Sequence, residues 1–267
     1  MKLTKLSLLL TPLIGLPALA QPTFITEIEA GDKWLLIEHV NGSYEETLKA
    51  NGAKSETDID ADGTGISGVF ALSRSGSFTP LIGVSFTEIE AEDEDTTISS
   101  FTAGALLNSN KNQKTVMSLS YNKSQDDENI RDSLDASAAF QLSNNSSTIF
   151  NELSVSLTYK KDNDIVDGGH EIEISNLAKF PINSQVELVG LVGIEFSTEY
   201  EDAAGDTLNY DPELSFGAEL NIHPTPMLTL QLSVLKSFAN GEYSINGQNV
   251  DRELDGTLTS VGLLARF

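Results

Sequence analysis

The sequence predicts an all-β chain: a single transmembrane antiparallel up-and-down β-barrel of about twelve strands over residues 21–267, behind a leader at 1–20. Three observations point there. Apolar and polar residues alternate with period 2 along most of the chain, as in strands with two unlike faces. The connections between these segments alternate between short acid-free turns and longer acidic loops, as in barrels that cross a membrane. Beyond the leader no run approaches 18 apolar residues, so the strands must carry any membrane signal in every second position.

Lys2 and Lys5, the apolar run Leu6–Leu16 and Pro17-Ala18-Leu19-Ala20 form the three parts of an export leader cleaved before Gln21. Segment 33–45 follows. Its Trp34-Leu35-Leu36-Ile37 is apolar on both faces, which leaves open a plug or a strand paired with the last one. An acidic connection with Asp58, Asp60 and Asp62 leads to 64–75, and Ser75-Gly76 turns into 78–90. Glu92-Asp93-Glu94-Asp95 precedes 97–108, and the short stretch Asn108–Lys114 leads into 114–124. Asp126-Asp127-Glu128 precedes 131–143, and Ser143–Ser147 turns into 147–161. Asp162, Asp164 and Asp167 precede 169–180, and Pro181–Asn183 turns into 184–199. Glu201, Asp202 and Asp206 precede 207–222, and His223–Met227 turns into 227–240. Asp251, Glu253 and Asp255 lead to the last strand, 253–267. An even strand count with long loops on one side puts both termini on the other, periplasmic side.

The faces are consistent with this. Leu188, Val192, Ile194 and Phe196 share one side of a strand whose other side holds Glu187, Gly193, Glu195 and Ser197. Leu214, Phe216, Ala218 and Leu220 oppose Glu213, Ser215, Gly217 and Glu219 in the same way. In a barrel the apolar side faces lipid and the Ser/Gly/Glu side lines the interior. Phe86, Phe101, Phe140, Tyr159, Phe180, Phe196, Tyr210 and Phe238 fall near strand ends, where interfacial girdles sit.

The chain ends Ser260-Val261-Gly262-Leu263-Leu264-Ala265-Arg266-Phe267. With the export leader, this resembles the C-terminal strand of Gram-negative outer-membrane β-barrel proteins, with Ser260, Gly262, Ala265 and Phe267 at the signature places. Ala265 is smaller than the residue usual there. The resemblance implies insertion into the outer membrane by the barrel assembly machinery, and lipid and lipopolysaccharide as surroundings.

Leader removal takes two of the 16 Lys and Arg, leaving 14 basic and 40 acidic residues, a net charge of −26. Nucleic acid is excluded as a partner, since phosphates need Lys and Arg. With no Cys, neither disulfides nor thiol chemistry enter. The three histidines, His39-Val40-Asn41, His170-Glu171-Ile172 and His223-Pro224-Thr225, lack the His-x-Ser pattern of barrel hydrolases, and no Asp-x-His element occurs. No catalytic residues are expected. Asp58-Ile59-Asp60-Ala61-Asp62-Gly63 matches the start of a calcium loop, but its twelfth position is Val69, so a Ca²⁺ site would need ligands from a second loop such as 92–95. The inward pattern places Glu152, Glu173, Glu187, Glu195, Glu213 and Glu219 among Ser and Gly. Two functions follow from these residues, and a third, a membrane-embedded hydrolase, rests on analogy of fold alone. The first is a narrow passive channel for small neutral or cationic solutes. The second is a non-conducting surface protein whose acidic loops bind divalent cations, lipopolysaccharide or an external partner.

Overall fold

The computed structural model describes residues 25–50, 53–91, 94–110, 113–125, 130–142, 149–161, 168–198, 200–201, 206–245 and 248–267. The expected leader lies outside the described residues, as do most of the acidic connections 92–93, 126–129, 162–167 and 202–205. The strands are β1 (Lys33–Ala50), β2 (Ala53–Ala71), β3 (Phe78–Ala91), β4 (Glu94–Asn110), β5 (Gln113–Gln125), β6 (Ile130–Gln141), β7 (Phe150–Lys160), β8 (Gly169–Pro181), β9 (Val186–Ser197), β10 (Tyr200–Glu201), β11 (Thr207–Tyr210), β12 (Glu213–Thr225), β13 (Leu228–Ile245) and β14 (Gln248–Arg266). Twelve of them pair antiparallel, each with its neighbour, and β14 pairs with both β13 and β1 to close the barrel. Closure leaves the twelve-stranded wall without a free edge, the condition for crossing hydrocarbon with strands. Segment 33–45 is therefore a barrel strand, and its terminal rung is the backbone pair of Lys33 and Phe267 at 3.1 and 2.9 Å.

Three boundaries differ from expectation. Residues 46–50 and 53–63 are strand: β1 and β2 stay paired up to Ala50↔Ala53, with Asn51-Gly52 next in the sequence. The stretch 248–255 is also strand, paired up to Ile245↔Gln248 around Asn246-Gly247. Asn-Gly is the dipeptide that favours two-residue hairpins. These acids alternate with inward apolar residues such as Ile59, Ala61 and Leu254, so they belong to a sheet face, not to loops. Segment 207–222 is broken at Asp211-Pro212, where proline lacks a donor and restrains its predecessor. β11 lies on the upper part of β13, with β10 on its far side.

The barrel is uneven in height. β1, β2, β13 and β14 have 18 or 19 residues, whereas β5 to β9 and β12 have 11 to 13. The tall quartet stands above the rest at the end opposite the termini. Outward apolar side chains form a belt edged by Phe86, Phe101, Tyr121, Tyr159, Phe196 and Phe238 at that end and by Phe70, Phe78, Phe180 and Phe267 at the terminal end. The belt is also uneven. On β12 it runs from Leu214 to Ile222, while on β1 only Leu35 and Ile37 precede the polar His39 and Asn41.

Candidate functional site

The inward faces of the strands build the candidate site, a lumen with a floor, a middle and a crowded upper level. The floor begins where the chain reverses at Gly31, whose φ of 92° is open to glycine at no cost. Residues Ile25–Glu27 then form a 3₁₀ turn inside the barrel, touching β5 and β6. Thr26 and Ile28 are both 0 % exposed. Ile28 packs in an apolar ring with Trp34, Val69, Leu81, Leu106 and Val116. The polar ties are as specific. The Thr26 amide donates to Glu152 Oε2 at 2.9 Å, and the Thr26 hydroxyl donates to the same oxygen. Lys179 pairs with Glu27, and Arg266 holds Asp32 at 2.8 Å. A carboxylate as deeply buried as Glu152 requires such donors.

Above the floor lies a cavity of about 260 Å³, with Ile25 and Glu152 among its lining residues. That is space for on the order of ten waters. Its wall mixes Ser and Thr hydroxyls with apolar side chains such as Val116, Leu177 and Leu191. Thr102 and Ser120 share a bond of 2.7 Å, and Ser118 and Ser137 one of 2.6 Å. These small side chains satisfy one another across strands and leave volume that larger ones would occupy.

The upper level is divided. On β8, β9 and β12 the inward residues Glu173, Glu195 and Glu213 stand directly side by side in register. Strand spacing of about 4.8 Å places three carboxyl groups on one rung, an arrangement that destabilises a sheet unless bound protons or cations offset the like charges. Beside the rung Lys160 pairs with Glu171, both buried. Opposite, Tyr44, Ile59, Leu235, Leu254 and Leu258 form an apolar cluster. The Tyr44 ring fits because Gly256 faces it: a Cβ there would come within 2.5 Å of a ring carbon. Arg252 and Glu46 form an almost fully buried ion pair at 2.8 Å next to this cluster.

The expected lining residues all face inward, but they divide by environment. Glu173, Glu195 and Glu213 form the rung, and Glu219 is 3.4 Å from Gln231 Nε2. Glu187 lies near the terminal rim, 3.3 Å from His223 and 3.8 Å from Lys179. Glu152 ties down the floor. The floor itself was not foreseen as such, since eight residues without periodicity carry only the weak signal Ile25-x-x-Ile28.

Asp58, Asp60 and Asp62 lie on the exposed outward face of β2, spread along an extended strand. The sharp turn of a calcium loop is not formed there. Asp62 is 3.4 Å from Asn41 Nδ2 and 3.5 Å from His39 Nε2. Among the described residues no three His, Asp or Glu converge in a way that would hold a metal ion. In the closing strand Ser260 and Gly262 point inward, while Ala265 and Phe267 point outward.

No family model matches the chain, and no curated protein matches its sequence. Solved structures do. An outer-membrane channel from Pseudomonas putida F1 superposes with a TM-score of 0.69 at 11 % identity, over 92 % of this chain and 99 % of that one. The fold is that of an outer-membrane β-barrel. The transport unit of the autotransporter AIDA-I from Escherichia coli gives a TM-score of 0.53 at 10 % identity, over 94 % and 96 % of the two chains. The translocator domain of the autotransporter NalP from Neisseria meningitidis gives 0.51 at 11 %, over 99 % and 96 %. At these identities the likeness concerns architecture.

Proposed function

We propose that the protein is a narrow outer-membrane channel, with both termini in the periplasm, that passes small neutral or cationic solutes by diffusion. The observation that carries this reading is the rung Glu173–Glu195–Glu213 on the inward face, above a partly hydroxyl-lined cavity inside a lipid-facing barrel. Hydroxyls replace part of the hydration of a passing solute, and the carboxylates set the sign of its charge. At about 5 Å and an effective dielectric of 20, one carboxylate attracts a monovalent cation by on the order of 3 kcal/mol before desolvation. The superposition with the Pseudomonas putida channel supports the reading at the level of architecture.

The test is electrical. Refolded protein in a planar bilayer under a KCl gradient is expected to give discrete steps with a cation-selective reversal potential. Replacing Glu173, Glu195 and Glu213 together by Gln should bring that potential close to zero in concentrated salt while conductance persists. Selectivity unchanged in the triple variant would remove the rung from the conduction path.

A further inference from the structure

We propose that the N-terminal turn, residues 25–32, is a displaceable gate that closes the terminal end of the lumen and is latched by Glu152 and Lys179. The inference rests on the channel reading for its consequence, but the movement itself can be tested separately.

Four observations carry it. First, the turn is no part of the sheet. Its backbone bonds are Ile28 to Ile25, Asp32 to Glu29, and, at its root, Gly31 and Asp32 to Ala71. The seam β14–β1 is complete without it, so the turn can leave without opening the barrel. Second, the chain enters the lumen by a one-residue reversal at Gly31, φ 92°, so the turn hangs from a single glycine tied to Ala71. Third, the turn covers more than the apolar ring around Ile28. Ile25 borders the cavity, and Thr26 supplies two donors to a carboxylate on the pore-facing side of β7. Fourth, the latch has an alternative arrangement at hand. Lys179 stands between Glu27 of the turn and Glu187 of the wall, the latter already at 3.8 Å and also contacted by His223. When Glu27 departs, Lys179 exchanges one carboxylate for the other, while Glu152 gains access to the water of the cavity. Both arrangements keep these charges solvated or paired, which is what a two-state element requires.

The absence of native Cys permits a clean measurement of movement. In the folded, heat-modifiable barrel, an Ile28→Cys thiol is labelled with a water-soluble maleimide. Slow labelling is expected with the latch intact, and at least tenfold faster labelling when Glu152→Gln or Lys179→Gln is added. Thr26→Ser, which keeps the hydroxyl, should retain the slow rate. Equal rates with and without the latch substitutions would overturn the proposal, as would a parent thiol that reacts as fast as a free one.

The consequence is tested by tying the turn down. Glu27→Cys and Lys179→Cys, joined by a short bifunctional thiol reagent, should silence the channel, and reductive release should restore it. A cross-linked barrel that conducts like the free one overturns the gate. Accelerated labelling together with electrical silence in every variant would sink the channel reading instead, and leave a movable floor.

Discussion

Arg252 and Glu46 show what single side chains contribute to this barrel. Both are buried, and the Arg252 guanidinium also lies over the Tyr243 ring at 5.6 Å. Removing one partner leaves the other charge buried and uncompensated, a loss that typically reaches about 3–5 kcal/mol. Arg252→Met or Glu46→Leu alone should therefore destabilise the refolded barrel by that order. The double variant Arg252→Met/Glu46→Leu should recover much of the loss. Urea titration followed by tryptophan fluorescence measures both, and Trp34 in the floor is the single reporter. If the double variant were as unstable as either single one, the pair would be worth more than its desolvation.

The tall hairpins are the informative elements. The upper rows of β1 and β2 carry exposed pairs such as Lys54–Glu56, and Lys49 reaches across to Glu253 on β14. Exposed ion pairs contribute at most about 1 kcal/mol. Deleting 48–50 together with 53–55, so that Asn51-Gly52 joins Thr47 to Glu56, should leave a heat-modifiable barrel whose stability changes by less than about 1 kcal/mol. Loss of folding in that variant would show that the projecting rows nucleate closure. The same rows mark where the sequence was readable and where it was not. Within the belt the alternation assigned faces correctly, from Leu188 and Phe216 outward to Glu195 and Glu213 inward. Above the belt, outward Asp58, Asp60 and Asp62 have no lipid to face, so the strand there reads like an acidic loop. The floor left only a weak trace, because Thr26 and Glu152 are 126 positions apart and no local pattern announces their meeting.

Charge organises the whole molecule. Acids crowd the end opposite the termini, while Lys33, Arg74, Lys114, Lys179 and Arg266 lie toward the terminal end. A surface charge acts over a Debye length of about 10 Å at 0.1 M salt and about 3 Å at 1 M. The acidic rim should thus add to cation preference in dilute salt and fade in concentrated salt, whereas the enclosed glutamate rung persists. Reversal potentials at the two ionic strengths separate these contributions. A selectivity that does not weaken with salt would assign all of it to the rung.

The uneven belt has a consequence for the surrounding lipid. From Leu214 to Ile222 the apolar face of β12 extends about 26 Å along the strand, against about 7 Å from Leu35 to Ile37 on β1. A bilayer of uniform thickness cannot match both walls. Either the barrel leans so that its short-belted side rides higher, or the acyl chains beside β1 compress, each at a fraction of a kcal/mol per Å. Unless the barrel leans, the wall at β1 is therefore the place where this molecule deforms its membrane.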